Sequence, residues 1–131
     1  MLVLDTSAAI AAIAGRPVDR RLIDRLSNDG DLHAPHLIDV EFLHALRRLV
    51  TTKAIRADVA EDVRTTYAQL AITRYPHHPL SDRMWELRNN LSAYDAAFVA
   101  LAEELDVPLI TCDRRLGSSS GHAATVEVFD R

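Results

Sequence analysis

Four acids stand where an ordinary globular sequence would put apolar or neutral residues: Asp5, Glu41, Asp95 and Asp113. Asp5 ends the strand-like run "MLVLD", and Asp113 ends a second such run, "VPLITCD". In an open parallel sheet, ligands collect outside the carboxyl ends of strands. Glu41 borders the apolar stripe of a helical segment. Asp95 lies one turn before Phe98 and Val99 on the inward side of another. Each has a structural explanation alone. Asp5 and Asp113 suit helix N-caps, Glu41 suits an ion pair, and "SAYD" fits a capping box from Ser92 to Asp95. For Asp5, Thr6 and Ser7 offer alternative caps. If the four converge, they repel one another and raise their own pKa values. A hard divalent cation such as Mg²⁺ would resolve that. The chemistry such a cluster serves is metal-assisted hydrolysis of a phosphodiester.

Those acids need a scaffold, and the hydrophobic pattern supplies one. Short apolar strands are predicted at 2–4, 32–34, 71–76, 107–112 and 125–129, alternating with helices at 7–14, 18–26, 35–50, 59–70, 81–91 and 92–105. The alternation predicts an α/β fold with a mostly parallel central sheet of about four or five strands and helices on both faces. No linker, repeat or low-complexity tract interrupts it beyond "GSSSG" at 117–121, so 1–131 reads as one domain.

Composition narrows the function classes. The 131 residues carry a net charge of −4, which argues against holding nucleic acid by bulk charge. The one cysteine, Cys112, excludes an intramolecular disulfide framework and a cysteine-rich zinc site, and fits a reducing, cytoplasmic compartment. No signal-peptide pattern precedes Asp5, and no apolar stretch is long enough to span a membrane. Aromatics at 5% argue against a base-stacking platform for single strands. The six histidines lack zinc-ligand spacing. Of 15 basic residues, 14 are Arg. Arg114 and Arg115, next to Asp113, are candidate phosphate contacts. Arg47, Arg48, Lys53 and Arg56 read as the solvated side of a helix. Asp39 reads as a first-turn acid facing the helix dipole.

"VLDTSA", "EFLHALRR", "SAYDAAFVALAEEL" and "LITCDRRL" resemble, in order, the acidic motifs of PIN-domain ribonucleases, and most nearly the VapC toxins of bacterial toxin–antitoxin pairs. The resemblance implies a Mg²⁺- or Mn²⁺-dependent endoribonuclease. Asp5, Glu41 and Asp95 would be the main metal shell, with Asp113 completing it. Thr6 or Thr111 would orient a carboxylate or water. The expected attack by metal-activated water leaves 5′-phosphate and 3′-hydroxyl ends. The resemblance also implies a cognate VapB-type antitoxin, with the helices at 18–26 and 42–49 as docking surfaces, and a homodimer. Three other readings compete. A receiver domain needs an acidic pair at the first strand and a late Lys, and only Lys53 is present. A haloacid-dehalogenase-type phosphatase needs an acid where Ser7 stands. A non-catalytic RNA- or protein-binding PIN-like module remains the alternative; no phosphate-binding glycine motif is present.

Overall fold

The structure, a computed structural model, describes residues 1–130. The chain forms β1 (Leu2–Leu4), α1 (Thr6–Ala14), α2 (Arg20–Asp29), β2 (Leu32–Pro35), α3 (Leu37–Thr51), α4 (Ala57–Ala68) and β3 (Ile72–Tyr75). A 3-10 turn at His78–Leu80 follows, then α5 (Ser81–Glu86), α6 (Ala93–Leu105), β4 (Leu109–Thr111), α7 (Arg114–Gly117) and β5 (Val126–Val128). The expected order of strands and helices is present throughout. All four strand pairings are parallel, in the order β3-β2-β1-β4-β5.

That order reverses direction at β1. Successive right-handed crossovers run outward from β1 to β3, then return to β4. Helices therefore cover both faces. α6 packs across β1, β2 and β4, while α1 packs against α3 and α4. The central strands are buried on both sides, and Leu2, Val3, Leu4, Leu109 and Ile110 are fully enclosed. Such strands read as continuous apolar runs rather than alternating ones. α6 is enclosed from Ala96 through Ala102, with four alanines in that run. Small side chains let its backbone lie close to the sheet.

Phe42 and Tyr67 carry the contact between α3 and α4, their rings stacked at 3.8 Å. The Tyr67 hydroxyl donates to Asp39 at 2.7 Å, and Arg74 clasps Asp39 with two bonds of 2.7 and 2.9 Å. Asp39 is thus a first-turn acid of α3, as expected, and also ties α3 to α4 and β3. α3 begins without a side-chain cap of its own; the Leu37 amide donates to His77 Nε2 at 2.9 Å instead. His33 is likewise committed, to Tyr75 at 2.7 Å and Asp31 at 2.8 Å.

One expected helix is shorter than its pattern. Met84, Leu87 and Leu91 have helical spacing, yet α5 stops at Glu86. Asn90 instead donates to the Ser120 carbonyl at 2.7 Å, which ties this turn to the Gly/Ser loop. α2 ends at Gly30, whose φ of +69° is left-handed. A Cβ there would meet nothing nearer than the Ser27 carbonyl oxygen at 3.9 Å, so only backbone strain opposes a side chain. Gly30→Ala should therefore cost about 1 kcal/mol, read as a lower urea midpoint with an unchanged slope.

Candidate active site

β1 and β4 are neighbours in the sheet, with Leu4 opposite Ile110. Their ends therefore place Asp5 and Asp113 side by side at the carboxyl edge, where the strand order reverses. The Asp5 amide donates to the Ile110 carbonyl at 3.1 Å and extends the ladder by one bond. In a parallel α/β fold, helices that follow strands start at this same edge. Asp5 caps α1, Asp113 caps α7, Asp95 lies in the first turn of α6, and Glu41 lies in the second turn of α3.

Asp5 is a cap after all. Its backbone is extended, at φ −88° and ψ 170°, and Oδ1 accepts from the Ala8 amide at 2.9 Å. Thr6 and Ser7 do not cap in its place. They are already helical, so their hydroxyls are released for other work. The Ser7 hydroxyl donates to Asp5 Oδ1 at 2.7 Å while accepting from the Cys112 amide at 2.9 Å. The Thr111 hydroxyl donates to Asp5 Oδ2 at 2.5 Å while accepting from the Asp113 amide at 3.0 Å. These two hydroxyls stitch the ends of β1 and β4 together through one carboxylate. An ionised carboxylate has about four lone-pair sites. Three are filled, which leaves one on Oδ2.

The Thr6 hydroxyl donates to Glu41 Oε1 at 2.7 Å. Thr6 thus orients Glu41, and Thr111 orients Asp5. Ser7 is a further site residue that the sequence reading treated only as a spare cap; the signal was a hydroxyl two residues past an acid, a spacing that favours local side-chain bonds. Asp95 shows the expected capping arrangement, its amide donating to Ser92 Oγ at 3.1 Å.

The electrostatics bind the acids into one group. Asp5 is 7% exposed, and burial pushes its carboxyl up to about 6, with the Asp95 charge adding to the rise. Burial also raises Glu41, and again the Asp95 charge adds. Asp95 is raised by burial and then by the charge of Asp113. Asp113 behaves differently. Arg115 grips it with Nε at 3.3 Å and Nη2 at 3.1 Å, and holds its carboxyl below the usual range. Of the two candidate phosphate contacts, only Arg115 therefore stands at the acids. Arg114 pairs with Asp130 instead.

Such a set suits a hard dication by its chemistry. All its donors are oxygens, three of its four acids have raised proton affinity, and among the described residues Arg115 is the one cation paired with it. No three Asp, Glu, His or Cys among the described residues already form a ready-made cage. The acids line a common edge rather than closing on one point.

The PIN domain family model matches residues 2–119. The ribonuclease VapC9 of Mycobacterium tuberculosis is 42% identical over 131 residues, the full length of both chains. The ribonuclease VapC1 of the same species is 41% identical over 120 residues, covering 91% of this chain and 90% of that one. Among solved structures, the fold matches Rickettsia felis VapBC2, bound to a promoter DNA fragment, with a TM-score of 0.72 at 12% identity, covering 98% of each chain. DNA-bound VapBC from Salmonella typhimurium matches with a TM-score of 0.70 at 13% identity over 96% of each chain. The chain belongs to the PIN-domain family, among its VapC ribonucleases.

Proposed function

We propose that this chain is the toxin of a type II toxin–antitoxin pair, an endoribonuclease that cleaves RNA phosphodiester bonds with Mg²⁺ or Mn²⁺ at Asp5, Glu41, Asp95 and Asp113. The observation that carries this is the coupled acid group at the switch point: Asp5, Glu41 and Asp95 all have raised proton affinity, and Asp95 faces each of the others electrostatically. Kinship with the VapC ribonucleases supports the same reading. When bound, a divalent cation supplies a nucleophile from water at neutral pH and draws charge off the phosphate.

The residues of the chain do the rest. Ser7, Thr111 and the Ala8 amide fix Asp5 so that only Oδ2 keeps a free lone pair for a cation. Thr6 fixes Glu41 through Oε1. The charge of Asp95 acts on both. Arg115, 89% exposed at its side chain, pairs with Asp113, and its guanidinium would be available to an RNA phosphate if that carboxylate held a cation instead. The whole of 1–131 works as one domain in the cytoplasm. No helix among the described residues is long and apolar enough to cross a membrane.

The partner is a VapB-type antitoxin. Of the two expected docking helices, the one at 18–26 overlaps α2, which begins two residues later at Arg20 and with α1 and α4 borders an apolar groove of about 670 Å³ lined by Ile13, Ile23, Leu26, Val59 and Val63. An amphipathic helix fits such a groove. The toxin itself is a homodimer.

The test is incubation with total RNA, followed by chemistry on the new ends. Cleavage should require Mg²⁺ or Mn²⁺, stop in EDTA, and leave 5′-phosphate and 3′-hydroxyl ends. Undiminished cutting in EDTA, or 2′,3′-cyclic phosphate ends alone, would contradict it. RNA binding with no cleavage in any divalent ion would favour the non-catalytic module.

A further inference from the structure

One face of α3 leads away from the acids. Leu37, Glu41, His44 and Arg48 follow one another at helical spacing, and together with Thr6 and Tyr94 they line an open cleft of about 490 Å³. Arg48 lies seven residues past Glu41, roughly 10 Å along the helix axis. Tyr94 forms the opposite wall, is 62% exposed, and immediately precedes Asp95. The cleft is therefore continuous with the acid group at both Glu41 and Tyr94.

Apart from the Thr6–Glu41 bond at its inner end, its polar groups are uncommitted. Among the described residues, only Arg20, Arg47, Arg48 and Lys53 are side-chain cations with no hydrogen-bond or ion-pair partner. Three of these four lie at the C-terminal end of α3 or just beyond it. Arg56 is instead held by Asp58, at 3.0 Å through Nε. The run 47–56 is thus not uniformly a solvated helix side, because Arg48 lines the cleft. The imidazole of His44 and the hydroxyl of Tyr94 also have no partner among the described residues. A free cation beside an exposed aromatic face is the pairing that binds single-stranded nucleic acid, phosphate to the one and base to the other. One ring suffices for one base, so the low aromatic content is no obstacle.

We propose that the cleft between α3 and the start of α6 is a nucleotide subsite, in which Tyr94 stacks one base of single-stranded RNA beside the scissile bond and Arg48, with His44, holds a neighbouring phosphate. The subsite rests on the ribonuclease reading above for its position along the substrate. It gives Tyr94 a part in choosing the cut site, because the base on its ring sets which phosphate meets Asp95.

The test is a titration of fluorescein-labelled random-sequence 12-mer RNA in EDTA at several salt concentrations, with total-RNA cleavage in Mg²⁺ run on the same preparations. Tyr94→Ala should weaken binding roughly tenfold or more, and Tyr94→Phe should retain it. Arg48→Gln should weaken binding and lower the log–log salt slope by about 0.7, the loss of one phosphate contact. Both sites are exposed at the surface, so circular dichroism should be unchanged in all three variants. Wild-type binding in both Tyr94→Ala and Arg48→Gln, with cleavage intact, would overturn the subsite and leave the nuclease reading standing. So would a Tyr94→Ala change that converts dimer to monomer in sedimentation without altering RNA affinity, since the cleft would then belong to a second copy. Binding that depends on both residues, with no cleavage by the wild type, would keep the subsite and overturn the nuclease reading. No RNA binding by the wild type would overturn the subsite.

Discussion

Asp5→Asn is expected to abolish RNA cleavage and, in the same protein, to raise the stability of the metal-free fold above pH 6. The loss of activity follows from removing the most enclosed charge of the acid group; several kcal/mol of transition-state stabilisation corresponds to roughly a thousandfold in rate. The gain in stability follows from the direction of the Asp5 shift. Its carboxyl ordinarily titrates at 3.8 and in the fold at about 6. The folded state therefore binds a proton that the unfolded state releases, and wild-type stability falls as pH climbs between these values. Above them the full cost of the buried charge is present, about 3 kcal/mol before any weaker bonding by Asn is discounted. Asn fits the site. Its carbonyl can accept from Ser7 and Ala8, and its amide can donate to Thr111. The Thr111 proton can then turn to Ser7 Oγ, 3.2 Å away. Melting curves in EDTA should coincide for the two proteins near pH 4 and separate by several degrees at pH 7. An Asn variant that melts lower than wild type at pH 7, or still cuts RNA, would refute this account.

The capping of α1 by Asp5 shows where sequence reasoning stops. Its place at the end of a strand was legible from "LVLD", because an apolar run that ends in an acid marks a strand edge. Whether Asp5, Thr6 or Ser7 takes the cap depends on where the helix begins, to within a single residue, and that is settled by the β1–β4 pairing 106 positions away in sequence. The pairing also makes Ser7 and Thr111 a matched pair of donors, and no local pattern signals it. The cap and the site reading were not rivals, since one Asp5 oxygen serves α1 and the other keeps a free lone pair.

The helices tell a similar story. The stripe on α3 correctly placed Phe42 and Leu46 in the core. It said nothing of the opposite edge, where Arg48 shares a face with Glu41 and lines one cleft with Tyr94 only because α6 starts at the same sheet edge. The spacing 41, 44, 48 was the available signal. For α5 the periodic signal misled. Leu87 is buried, but from a turn rather than a helix, because Asn90 is drawn to the Ser120 loop. Long-range bonds of this kind override local periodicity.

Thr111→Val should be the most damaging single change that leaves every carboxylate in place. Thr111 is completely enclosed, and valine matches its shape but has no hydroxyl. Asp5 Oδ2 loses its only donor, and the Asp113 amide loses its acceptor. Ser7 cannot compensate, because its single proton already serves Oδ1. One lost bond to a charged group and one orphaned amide together cost about 2–4 kcal/mol. The Asp5 carboxyl should climb further, because a bond that favours its ionised form is gone. Cleavage should fall roughly 10- to 100-fold, as when groups that orient metal ligands are removed, while Thr111→Ser retains most of it. The decisive measurement is a double-mutant cycle. In the Asp5→Asn background the valine no longer strands a charge, so its cost should shrink by about 1–2 kcal/mol. Equal costs in both backgrounds would show that Thr111 merely packs against Asp5. A clear coupling would show that β4 reaches across the switch point to hold the acid of β1 in its charged state, with the sheet pairing itself preparing the site for a cation.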